Sequence, residues 1–145
     1  MALRYANVYG PRQNPHGEAG VVAIFSTLLL TGKTPTINGT GEQTRDYTFV
    51  ADVVAANMAA LDYEGSGFDY FNVGTGIETD VNELFAHLRT GAGVEVEAEH
   101  GPGKPGEQMR SVLAWDKLHE ATGWSPKTNV AEGVKATVDW FRERI

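Results

Sequence analysis

Three times along this chain a short apolar run stops at a turn and is followed by a helical pattern. That repeated order constrains the fold more than any other feature. "LRYANV" (3–8) reads as a strand ended by Gly10-Pro11; Gly20 then leads into Val21, Ile24, Phe25, Leu28 and Leu29 on one helical face, with Gly32 as the stop. "RDYTFV" (45–50) reads as a second strand, followed by Val50, Val53, Val54 and Leu61 at helical spacing up to the flexible "EGSG". "YFNV" (70–73) closes at Gly74 and Gly76, and Asp80 with Glu83 forms a capping box ahead of Val81, Leu84, Phe85 and Leu88. Strands that alternate with helices make an α/β domain with parallel pairing.

The intervening segments fit the same class. "PTIN" (35–38) is a short run ahead of a Gly-Thr-Gly turn, and "VEVEAE" (94–99) alternates as a strand with one wet face does. "GPGKPGE" (101–107) is a loop, because its prolines supply no amide to a helix or ladder. "RSVLA" (110–114) suggests a short strand, and Asp116 to Thr122 a helix stopped by Gly123. Asn129 and Glu132 form a second capping box before Val130, Val134, Val138, Phe141 and Ile145, with Trp140 beside that stripe. No repeat, low-complexity stretch or linker interrupts residues 1–145, so one domain is expected.

A net charge of −7 argues against nucleic acid or an anionic membrane as partner, leaving an anionic small ligand only at a locally basic pocket. The chain has no Cys, hence no disulfide and no thiolate metal site, and a cytoplasmic setting is expected. "VVAIFSTLLL" is too short to span a bilayer. His16, His87, His100 and His119 are scattered, and no His/Asp/Glu set has metal-ligand spacing, so no metal is expected.

"GPGKPG" matches G-x-G-x-x-G at Gly101, Gly103 and Gly106, but a dinucleotide loop needs a buried strand before it and a helix opening at its end. Here the preceding run is half polar, Pro102 and Pro105 each remove an amide, and a strand-like run follows. Polar residues at strand ends are more informative, because ligands of α/β sheets bind beyond the carboxyl ends of strands. Asn7, Arg45 with Asp46, and Asn72 occupy such ends; Gly20 opens a helix, and Arg45 and Lys104 bring positive charge. These residues either form a site or satisfy backbone groups; the pattern is compatible with both.

The stretches "LRYANVYGPRQNPHGEAGVVAIF", "INGTGEQTRDYTFVADVVAA", "YFNVGTG", "VNELF" and "PGKPGEQMRSVLAWDKLHEATGWSP" follow one another in order and spacing. Together they resemble the C-terminal, substrate-binding half of an extended short-chain dehydrogenase/reductase of the NAD-dependent epimerase/dehydratase family. The member type is UDP-glucose 4-epimerase-like, with sugar 4,6-dehydratases and decarboxylases behind it. The resemblance implies a substrate-binding lobe plus the last two parallel strands of a truncated Rossmann-type sheet, with "YFNV" beside "LRYAN".

Position by position, the resemblance implies a UDP-sugar as ligand. Asn7 would face the sugar diphosphate, and the backbone of Gly20 and Val21 would bind phosphate. Thr36, Ile37 and Asn38 would run along the base, and Arg45 would bind the diphosphate. Lys104 stands where the family usually has Arg, a point charge in place of a fork. Glu107 would accept from the ribose hydroxyls, and Tyr5 would lie near the nicotinamide ring. Family chemistry uses NAD, a Gly-rich loop to hold it, and a Tyr-x-x-x-Lys pair. None of Tyr5, Tyr9, Tyr47, Tyr63 or Tyr70 has Lys four residues on. Those parts are expected ahead of residue 1, so no catalytic residue and no stable NAD site are expected in this chain. An unpaired edge on the first strand is expected to promote self-association or pairing with an NAD-binding half. The alternatives are a non-enzymatic nucleotide-sugar-binding or interaction module, and part of a dTDP- or UDP-sugar 4,6-dehydratase.

Overall fold

The computed structural model describes residues 1–16 and 20–145; Gly17, Glu18 and Ala19, which belong to the first of the motif stretches, lie outside that description. The first strand-like run divides in two. Strand β1 (Ala2–Tyr5) pairs in parallel with β6 (Tyr70–Val73), while β2 (Asn7–Tyr9) pairs in parallel with β5 (Tyr47–Phe49). The change of partner takes one peptide: the Ala6 N–H donates to the Val73 carbonyl at 2.9 Å, and the Asn7 N–H to the Asp46 carbonyl at 2.9 Å. "RDYTFV" divides likewise, at Asp46. Strand β4 (Thr44–Arg45) pairs antiparallel with β7 (Thr79–Asp80), and β5 follows it.

The expected neighbours "YFNV" and "LRYAN" therefore lie side by side, in the register Ala2↔Tyr70 to Tyr5↔Val73. Strand β3 (Thr36–Asn38) pairs in parallel with β8 (Glu99–Gly101). The expected strand at "VEVEAE" is corrected: of its residues only Glu99 joins a ladder. Val94, Val96 and Ala98 still pack against the core, so the alternation marks one-sided burial of an extended segment. "RSVLA" also forms no strand; Leu113 there donates its N–H to the Asp46 carboxylate.

Helices α1 (Val21–Leu30), α3 (Val81–Ala92) and α5 (Val130–Arg142) pack on one another. Both capping boxes form on their acceptor side: Asp80 accepts from the Glu83 N–H and Asn129 from the Glu132 N–H. Leu29, Leu84, Leu88, Val134 and Val138 are buried there with Tyr9, Ile37 and Tyr47, and Phe25 meets Phe85 edge to face at 6.2 Å. A second core holds Phe71 and Val73 of β6 with Val53 and Ala56 of α2 (Val50–Leu61), Leu118 of α4 (Asp116–Thr122) and Trp124.

Helix α2 does not bury the stripe its spacing suggested. Val54 is 57% and Leu61 76% exposed, while Asp52, Val53 and Ala56 face inward. The Asp52 carboxylate accepts from the N–H groups of Lys127 and Thr128 at 3.1 and 3.0 Å, and the Asp52 carbonyl accepts from the Trp124 indole at 3.0 Å. Those bonds fix the rotation of the helix. Ile145 lies beyond the end of α5 and is exposed rather than part of its buried stripe.

Asp46, 1% exposed, is the polar centre of the molecule. Its carboxylate accepts from the Thr75 N–H and hydroxyl, the Gly76 N–H, the Leu113 N–H and the Thr48 hydroxyl. A Cβ on Gly74 would stand 2.6 Å from that carboxylate, so a side chain there would expel it. Truncating Asp46 leaves these buried and part-buried donors without their acceptor, and donors to a charged group each count about 1.5–3 kcal/mol. We expect Asp46→Ala to lower stability by about 3 kcal/mol or more, read as the urea midpoint at unchanged slope.

Candidate functional site

A cleft of about 320 Å³ opens between α1, β3 and the loop that follows β8. Val21, Ile24 and Phe25 of α1, with Ile37 and Val81, form an apolar wall. Asn7, Thr36, Asn38, Gln43, Arg45, Tyr47, Lys104 and Glu107 complete the lining. Of the substrate-binding residues expected from sequence, the cleft thus gathers all but Gly20. Gly20 is buried immediately before α1, and its carbonyl accepts from the Ile24 N–H at 2.7 Å. Tyr5 is outside the cleft: the residue is 46% exposed and its hydroxyl donates to Asn57 at 2.8 Å.

Strand alternation explains why Arg45 reaches the cleft. Successive side chains point to opposite sides, so the inward Asp46 turns its neighbour outward. The Arg45 guanidinium donates to the carbonyls of Thr44 and Gln108, each at 2.7 Å, and lies 3.6 Å from the Glu107 carboxylate. Asp46 therefore does not pair with Arg45. The loop carrying Lys104 and Glu107 is fastened at both ends. Upstream, the Gly39 N–H donates to the Gly101 carbonyl at 2.9 Å and His100 Nδ1 donates to the Gly39 carbonyl at 2.7 Å. Downstream, the Thr44 N–H donates to the Met109 carbonyl at 2.8 Å, and Arg110 forks onto Glu78, which also accepts from the Thr44 hydroxyl. Arg110 foremost, then the Thr44 hydroxyl, holds the Glu78 carboxyl down at about 2.

Besides the apolar Ile24, Phe25 and Val81, two polar lining residues, Tyr47 and Gln43, were not foreseen. Burial pushes the Tyr47 phenol up to about 12, so near neutral pH it lines the cleft uncharged and not as a base. Gln43 sits two residues before Arg45 in a motif stretch, yet no rule of spacing marks a lone Gln. Asn72 is spent elsewhere: it accepts from the Arg4 guanidinium and donates to the Ala114 carbonyl. Among the described residues, no group of three His, Asp or Glu side chains is arranged to hold a metal ion, and no helix is long and apolar enough to cross a membrane.

Residues 1–74, which supply β1 to β6 and most of the cleft, match the NAD dependent epimerase/dehydratase family. The chain belongs to that family. It is 50% identical over 139 residues to the UDP-glucose 4-epimerase of Mycolicibacterium smegmatis, covering 96% of this chain and 44% of that relative. It is 35% identical over 152 residues to the dTDP-D-glucose 4,6-dehydratase of Bos taurus, covering 100% of this chain and 41% of that relative. Among solved structures, the UDP-glucose 4-epimerase of Thermotoga maritima with UDP-glucose superposes with a TM-score of 0.91 at 48% identity, covering 97% of this chain and 45% of that one. The Thermus thermophilus UDP-glucose 4-epimerase in complex with NAD gives a TM-score of 0.88 at 44% identity, covering 99% and 46%. The chain thus spans less than half the length of these family members, and the resemblance drawn from its motifs is borne out.

The downstream fastening of the loop depends on pH in a defined direction. The folded Glu78 carboxyl titrates at about 2, below its ordinary 4.5, so its stabilisation is complete above 4.5 and is lost as the pH falls toward 2. The thermal midpoint of Glu78→Gln is expected to fall less steeply than that of the unaltered chain across this window, which calorimetric scans at stepped pH would show.

Proposed function

We propose that this chain is the nucleotide-sugar-binding portion of an NAD-dependent UDP-sugar 4-epimerase. The observation that carries the reading is the convergence of Arg45, Lys104, Glu107 and the β3 strand on one cleft. An acidic chain places two cations where a diphosphate could be bound, with a carboxylate for sugar hydroxyls and a strand edge beside an apolar wall for a base. Arg45 and Lys104 take the diphosphate, Glu107 accepts from the ribose, and Thr36 to Asn38 follow the base. Asn7 faces the sugar end. The higher identity to an epimerase than to a 4,6-dehydratase favours epimerisation as the ancestral reaction.

The residues present do not fit NAD. Gly101 ends β8, and the segment after Gly106 runs irregularly until α4 opens at Asp116, so the Gly-x-Gly pattern presents no helix N-terminus to a pyrophosphate. Tyr5, expected near a nicotinamide, spends its hydroxyl on Asn57 of α2. Hydride transfer therefore belongs to residues outside these 145, and the chain alone binds without catalysing. On its side away from β6, β1 has no ladder partner among the described residues, with Tyr5 exposed on it. That edge takes either an NAD-binding half or a second copy of the chain.

Calorimetric titration of the purified chain with UDP-glucose tests the reading. Saturable binding at about micromolar Kd, near −8 kcal/mol, is expected, with at least a tenfold loss in Arg45→Ala. No heat at millimolar UDP-glucose would overturn it for this chain. Light scattering over a concentration series should show mass rising with concentration; a constant monomer mass would remove the second copy from that edge.

A further inference from the structure

The turn that joins β3 to β4 is built to return one side chain to the strand it has just left. Gly39 and Gly41 both take left-handed backbone, with φ of 65° and 79°. The Gly41 carbonyl accepts from the Val81 N–H at 2.9 Å, the Asn82 amide donates to the Thr40 carbonyl at 2.9 Å, and a Cβ on Gly41 would collide with Asn82 at 2.3 Å. The start of α3 therefore clamps the turn. Gln43 emerges from it only 6% exposed, lines the cleft, and donates from Nε2 to the Asn38 carbonyl at 3.1 Å.

The Asn38 carbonyl lies on the edge of β3 opposite its ladder partner. A parallel ladder uses alternate residues of a strand for one neighbour. The Glu99 N–H donates to the Pro35 carbonyl at 3.0 Å and the Gly39 N–H to the Gly101 carbonyl at 2.9 Å, so residues 35, 37 and 39 serve β8. Thr36 and Asn38 turn their peptide groups the other way, toward Gln43. An uncovered strand edge shows both N–H and C=O, and so reads poorly. Uracil and thymine present a carbonyl at ring position 4, where cytosine presents an amine. A bare edge has a partner for either.

We propose that Gln43 sets the nucleobase preference of this cleft: by engaging one lone pair of the Asn38 carbonyl it weakens that acceptor for the cytosine 4-amine and leaves the Asn38 N–H to meet the 4-carbonyl of uracil or thymine. This rests on the nucleotide-sugar reading above and adds to it the residue that selects the base. A buried polar group left unmatched is what allows a site to reject a close analogue. Gln43 is a positioning residue, because it acts through the Asn38 peptide.

The test compares UDP-glucose with CDP-glucose by calorimetry on the full chain and on Gln43→Leu and Gln43→Glu. Leu keeps the bulk and Glu the shape, and neither donates at neutral pH. The unaltered chain should prefer UDP-glucose by about tenfold or more, and both variants should bring the two ligands within about threefold while their near-UV circular dichroism stays native. A general weakening of the site would lower both affinities and leave the ratio. If Leu fails to fold, the isosteric Glu gives the same reading. A preference unchanged in the variants, or none in the unaltered chain, overturns the role of Gln43 and leaves the nucleotide-sugar reading standing. Failure of the unaltered chain to bind either ligand overturns both.

Discussion

The carboxylate of Asp46 is the interaction on which the rest depends. A buried charge persists only where donors surround it, and here they come from three separate stretches of chain. Thr48 belongs to β5, which begins one residue after Asp46, Thr75 and Gly76 to the turn after β6, and Leu113 to the segment after the cleft loop. One residue therefore binds together the core strand, the turn that leads into α3, and the return path of the loop. It also decides the direction of its neighbour. With Asp46 committed inward, Arg45 faces the cleft, so the cleft's guanidinium and the buried carboxylate are consecutive residues turned opposite ways.

The cleft is assembled on the same economy of connection. Arg45 holds two backbone carbonyls and faces Glu107, so its charge is placed before any ligand arrives. An anion entering the cleft meets a guanidinium whose rotamer is already fixed, which lowers the ordering cost of binding. Among the described residues the Lys104 ammonium has no hydrogen bond or ion pair of its own, so it is the less constrained of the two cations.

Much of this was legible in the residues. Asp80 with Glu83 and Asn129 with Glu132 announce their helices, because capping is local and its partners lie three residues apart. "YFNV" was legible as a strand because nothing but a buried ladder suits it. The switch points at Ala6 and Asp46 were not legible, since a change of ladder partner is a tertiary event that leaves the extended backbone uninterrupted. Val54 and Leu61 misled for a related reason: helical spacing reports an apolar face, but the bonds from Asp52 to Lys127 and Thr128 chose which face turned inward. Gln43 was invisible because its meaning lies in a turn five residues long, folded back on Asn38.

The ladders carry a consequence for how the chain reaches this state. Arg4 faces Asn72 across 68 residues, Asn7 faces Tyr47, and Thr36 faces Glu99. Among the described residues no strand pairs with a neighbour across a tight hairpin. Each pairing must close a long loop before any contact compensates for it, which makes such topologies slow to form. During synthesis β1 leaves the ribosome well before β6 exists, and the ladder between them waits several seconds at about 5–20 residues per second. The β1–β6 ladder is thus a late event in the life of the chain, closed only after α1 and α2 have been made between its two strands.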